Sequence, residues 1–183
     1  MIETVPSYRA LLVSYDPFVS DLAELETLLA SLAHESRDTP TPRSRLVEIS
    51  ACYGGELGFE LDAAARRLGL PSAELVRIHS SGEYLVYFIG FTPGMPYLSS
   101  MPGGLTIPRL DQPRTKTPAG SIGIGGAQCC VYSVESPGGF WVLARTPLRL
   151  YDPDAAEPVL LRPGDRVCFR PIDRAEFDAL APQ

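Results

Sequence analysis

Proline and glycine crowd the second half of this 183-residue chain: 13 of its 18 prolines lie from Pro93 onward, and 12 of its 16 glycines from Gly82 onward. Proline lacks the backbone donor that a helix interior needs, and glycine loses the most backbone entropy there, so long helices do not survive that density. Short strands joined by turns do. Strand-like segments rich in β-branched and aromatic residues fall at residues 84–91, 121–124, 128–134, 139–145, 148–151, 158–161 and 166–170. That spacing predicts a sandwich or a closed barrel.

The pattern differs upstream. Residues 8–15 read as a short apolar strand stopped by Asp16-Pro17. Asp21 and Glu24 give a D-x-x-E helix start, and Leu22, Leu25, Leu28, Leu29 and Leu32 follow at helical spacing, which predicts an amphipathic helix. A polar Thr/Pro loop over 37–43, a strand over 46–53 ending at Gly54-Gly55, and two short helices over 62–68 and 72–79 complete the segment. The order predicts a small α+β domain over residues 1–81, a boundary at Ser80-Ser81-Gly82, and an all-β domain over residues 82–183.

A net charge of −6 and a pI near 4.9 argue against a nucleic-acid partner, because phosphate binding depends on a positive field. No apolar run approaches the roughly 18 residues of a membrane span. The N-terminus lacks the basic start and apolar core of a signal peptide, so the cytoplasm is the expected compartment. Cys52, Cys129, Cys130 and Cys168 form no C-x-x-C pair, and His34 and His79 are not spaced as ligands, so no metal site is expected. Adjacent Cys129 and Cys130 would face opposite sides of a strand, which speaks for reduced thiols.

No G-x-S-x-G, H-E-x-x-H or Walker-type motif is present. What remains is a cluster of anion-binding chemistry. Pro108-Arg109, Pro113-Arg114 and Arg145-Thr146-Pro147 each place a guanidinium beside a rigid proline, where it loses less freedom on gripping a carboxylate or phosphate. The glycine-rich run over residues 120–126, including Gly120, Ser121 and Gly123, reads as a turn able to aim backbone N–H groups at an anion. Gln128 follows it with an amide that can fix an amide-bearing ligand, and Tyr97 is a candidate pocket wall. His79 closes a helix, where capping competes with a catalytic role.

Five ordered motifs carry a resemblance. Phe91-Thr92-Pro93-Gly94-Met95-Pro96-Tyr97-Leu98 resembles the G-F-x-P-G-F-P-Y-L run of the KipI/PxpB family, the B subunits of bacterial 5-oxoprolinase. Residues 113–124 are similar to its P-R-x-x-V-P-A-G-S-V-G-I element. Glu135-Ser136-Pro137-Gly138-Gly139-Phe140 resembles E-S-P-G-G-W. Residues 145–153 and 161–167 resemble R-T-P-L-x-L-F-D-P and L-x-x-G-D-R-V.

The resemblance implies a cyclophilin-like β-barrel behind the α+β domain. It also implies that the chain starts near the family's second strand, N-terminally short of its first strand and helix. The implied activity is ATP-dependent opening of a lactam, 5-oxo-L-proline, to L-glutamate by a complex with an A subunit and a homologous C subunit of the KipA/PxpC type. ATP is the implied cofactor, bound by the complex, and the chain alone is expected to be inactive. In that setting Arg114 and Arg145 are expected to clamp an anion, with His79 a further catalytic candidate. Tyr97, Arg109, Gly120, Ser121, Gly123 and Gln128 are expected to hold the substrate. The resemblance also admits a KipI-type inhibitor of a sensor histidine kinase, or a subunit related to allophanate hydrolase and urea carboxylase.

Overall fold

The computed structural model describes residues 2–36, 44–99 and 101–181, so the loop expected over 37–43 lies outside the described residues. The chain divides into two compact units, Met1–Ser44 and Arg45–Gln183. In the first, strands β1 (Glu3–Pro6) and β2 (Leu11–Ser14) pair antiparallel, and helix α1 (Leu22–Glu35) follows. Asp21 caps α1 as its spacing predicts, accepting from the Ala23 and Glu24 N–H groups at 2.9 and 3.3 Å. Leu25 is the buried member of the apolar stripe, while Leu22, Leu28 and Leu32 stay half exposed.

The second unit holds β3 (Leu46–Tyr53), α2 (Leu61–Leu68), α3 (Ser72–Ser80), β4 (Glu83–Ile89), β5 (Pro96–Ser99), β6 (Arg114–Thr117), β7 (Ser121–Gly125), β8 (Gln128–Val131), β9 (Ser136–Gly138), β10 (Trp141–Arg145), β11 (Arg166–Pro171) and α4 (Arg174–Leu180). Seven of the strands close a barrel in the order β10-β3-β11-β4-β5-β8-β7, and β6 pairs with β9 in a separate ribbon. Closure removes the exposed edges that an open sheet would present. Ile49, Ala51, Tyr84, Val86, Leu98, Ile122, Ile124, Val131, Leu143, Val167 and Phe169 fill the core.

The expected break at Ser80–Gly82 falls inside this unit. β3 runs parallel to β11 over six paired positions, from Leu46↔Arg166 to Ala51↔Pro171, and also pairs antiparallel with β10. Residues 46–81 therefore build barrel wall and its helical cover, and among the described residues the compact N-terminal unit contains β1, β2 and α1. The pairing joins positions 120 apart, which local composition does not reveal. The strands expected over 148–151 and 158–161 reduce to one bridge, Tyr151↔Val159. Leu150 and Leu161 are buried all the same, so their apolar signal marks core contact without a ladder. Short α4, capped by Asp173, lays Phe177 into a small cluster with Cys52, Leu57 and Ile172. Among the described residues no helix is long and apolar enough to cross a membrane.

Candidate functional site

Side chains alternate across a strand, so β8 sends Cys129 and Val131 into the barrel and Cys130 outward. Outside, Cys130 joins Met95, Tyr132 and Phe140 in a second buried cluster, with Tyr97 packed against it. Next to this cluster lies a groove of about 310 Å³ lined by Phe91, Met95, Tyr97, Arg109, Pro113, Tyr132, Pro137, Gly138, Gly139 and Phe140. Tyr97 stacks on Phe88 with centroids 4.4 Å apart and meets Phe140 edge-on at 6.1 Å. Burial raises the pKa of the Tyr97 phenol, so it stays a neutral donor.

Arg109 is the charged side chain among the lining residues. Its guanidinium carbon sits 4.4 Å over the Phe140 ring, and it donates to Gln128 Oε1 at 3.1 Å. Its loop is held on three sides. Ile107 and Gly126 exchange backbone hydrogen bonds of 3.1 and 2.6 Å, and the Leu110 N–H donates to Gly139 O at 2.8 Å. The Trp141 indole donates to Pro108 O at 2.8 Å. A guanidinium held this way keeps donors for a planar anion at the groove.

Two backbone features shape the rim. Phe91 has φ +70°, the one positive value for a non-glycine among the described residues, and is 66% exposed. Such a conformation costs about 1–3 kcal/mol and gathers at functional sites. At Gly138 a Cβ would overlap the Tyr132 hydroxyl, whose oxygen is buried without a hydrogen-bond partner. The groove thus has a second phenol in its lining.

Arg114, expected to clamp an anion, directs its donors to the protein. Nη1 pairs with Glu60 Oε1 at 2.6 Å, Nη2 donates to Phe140 O at 2.5 Å, and Nε donates to Thr117 Oγ1 at 3.3 Å. The other Glu60 oxygen accepts the Val142 N–H at 2.7 Å. This hub joins the start of α2 to β6 and β10 and supports the Phe140 wall, so Arg114 is a positioning residue.

Arg145 and Gly120 line a different cavity, of about 280 Å³, at the end of β10. The run over 120–126 is mostly strand β7 rather than a free turn. Its ladder partners are β8 and β10, and the Gly120 N–H donates to Tyr132 O at 2.7 Å, so these amides are not offered to a ligand. Gly123 is needed for close packing, since a Cβ there would press on Phe140 at 2.9 Å. Ser121 is buried with its hydroxyl unpartnered. The sequence expectation of one pocket therefore resolves into two.

His79 is fully buried within the core. Its ring stacks on Phe169 (4.9 Å), and its nitrogens share hydrogen bonds with the Tyr53 hydroxyl (2.7 Å, Nδ1) and the Cys129 thiol (3.5 Å, Nε2). Solvent and substrate do not reach it, which removes it from the catalytic candidates. Burial pushes its pKa down to about 3. The unfolded chain takes up a proton near pH 6.5 that the folded barrel refuses, so this contribution is complete above that pH and declines below it, by about 1.4 kcal/mol per pH unit. Urea unfolding between pH 6.5 and pH 5 is expected to show a loss of about 2 kcal/mol that is absent from His79→Gln. Equal slopes in both proteins would contradict it.

The sequence points to Arg109, Tyr97 and Gln128 here, and Met95 stands at a pocket wall where the family run has phenylalanine, but Phe91, Tyr132 and Phe140 went unread. Phe91 and Phe140 lie in two of the motifs, residues 91–98 and 135–140, which converge on the groove, whereas Tyr132 lies in neither. Among the described residues no group of three or more His, Cys, Asp or Glu could hold a metal ion.

The family model described as carboxyltransferase domain, subdomain C and D, matches residues 1–161. The 5-oxoprolinase B subunit of Bacillus subtilis is 38% identical over 97% of this chain and 78% of its own length. That of Escherichia coli O157:H7 is 48% identical over 75% of this chain and 63% of its own length. A conserved uncharacterized protein from Pyrococcus horikoshii has a solved structure that superposes with a TM-score of 0.70 at 41% identity, covering 96% of this chain and 81% of that one.

Proposed function

The chain belongs to the carboxyltransferase-domain (subdomain C and D) family, among the 5-oxoprolinase B subunits of the KipI/PxpB type, and on that premise we propose that it is the lactam-binding B subunit of an ATP-dependent 5-oxoprolinase. The observation that carries the reading is a single guanidinium laid over an aromatic wall in a small apolar groove. 5-Oxo-L-proline is a flat ring with one carboxylate, one amide N–H and one amide oxygen. In the groove its carboxylate pairs with Arg109, its ring lies against Phe140 and Met95, and the Tyr97 hydroxyl is a donor for the amide oxygen. Donors aimed at that oxygen stabilise the charge it gains as the amide opens.

The groove does not fit ATP. It offers one guanidinium, and none of its lining residues begins a helix, so a triphosphate has no cradle there. Nucleotide chemistry belongs, in this reading, to the A and C partners, with which the chain works in the cytoplasm and without which it is inactive. The test is reconstitution of the three subunits with 5-oxo-L-proline and ATP. Glutamate and ADP are expected to form only when this chain is present. Equal rates from A and C alone would overturn the assignment.

A further inference from the structure

The cavity beside Arg145 is separate from the groove, and its chemistry does not depend on what the groove takes. It lies where β10 ends and β7 begins, closed on its far side by Phe177 and Ala181. Arg145 Nε donates to Ala119 O at 2.7 Å. That bond orients the guanidinium plane, and its two terminal nitrogens meet no acceptor among the described residues. Arg149 also lines the cavity, but its guanidinium is paired with Asp152 at 3.1 Å. No carboxylate lines the cavity, although the protein as a whole carries a net charge of −6. The other walls mix apolar Pro147, Leu148, Phe177 and Ala181 with the hydroxyl-bearing Ser133 and Thr146.

A fixed guanidinium with two free donors matches the two oxygens of a planar oxyanion. Pro147, Leu148, Phe177 and Ala181 give a guest's carbon body contacts that a bare ion cannot use, and the ammonium of an amino acid would find no carboxylate partner. A volume of about 280 Å³ limits the guest to a few carbons. We propose that this cavity binds a small oxyanion with a short apolar body, a monocarboxylate by preference, held by the outer face of Arg145.

The test is a titration of the full chain, labelled with ¹⁵N, by butyrate and separately by inorganic phosphate, followed by NMR amide shifts. Butyrate is expected to saturate in the range of about 1–10 mM, with shifts confined to Gly120, Thr146, Leu148 and their neighbours. Phosphate is expected to bind more weakly at the same amides; tighter binding by phosphate would overturn the carboxylate preference. Arg145→Met is expected to weaken butyrate at least tenfold, and Arg109→Met to leave it unchanged. Arg145→Lys keeps the charge and the stem, and the loss of the fork is expected to weaken binding about fivefold. Absence of saturable butyrate shifts, shifts centred on the groove, or wild-type affinity in Arg145→Lys would each overturn the proposal.

Discussion

Replacing Arg109 with methionine is expected to lower kcat/KM for 5-oxo-L-proline in the reconstituted complex by about 100-fold, with a folded protein of near wild-type stability. A charge-assisted, two-pronged pair is worth about 1.5–3 kcal/mol, which is roughly 10- to 150-fold in affinity. The carboxylate keeps its charge as the amide opens, so it is bound alike in ground and transition states. The loss should therefore appear mainly as a higher KM. The fold has little at stake: Arg109 is exposed, and its contact with Phe140 contributes about 0.5–1 kcal/mol. Arg109→Lys keeps charge without the planar fork and should fall between the two. An unchanged kcat/KM in Arg109→Met would remove the guanidinium from substrate binding.

The second large effect concerns stability. Arg114→Met is expected to destabilise the second unit by about 2–4 kcal/mol in urea unfolding, because it strands the Glu60 carboxylate without its charged partner. Their side chains are 18% and 17% exposed, which places the effect toward the lower end of the range for buried pairs. Phe140 O loses a donor at the same time. The double variant Glu60→Gln, Arg114→Met removes the stranded charge and should recover part of the loss. If the single and double variants are equally unstable, the ion pair is not the source.

Arg109 and Arg114 show where sequence legibility ends. Both follow a proline, and nothing local separates a guanidinium facing a groove from one that holds the fold together. The difference is Glu60, 54 residues upstream of Arg114 and brought to it by the start of α2. The strands β3 and β11 were likewise readable one by one from their alternation, but not their parallel pairing, which moved the unit boundary from near residue 81 to Ser44. β5, β6 and β9 went unread because they are only three or four residues long, two of them carrying proline. The glycines over 120–126 look like an anion turn in sequence. In the barrel, Gly123 is glycine because Phe140 crosses close above it. His79 fitted a helix cap as well as a catalytic role, and its burial follows from α3 packing on β11.

The central claim is that the Arg109 groove seats the lactam. A crystal structure of the assembled complex with 5-oxo-L-proline measures it directly. The ligand carboxylate is expected within hydrogen-bond distance of the Arg109 guanidinium, with its ring against Phe140 and Met95. Ligand bound on another subunit, with the groove empty, would contradict it.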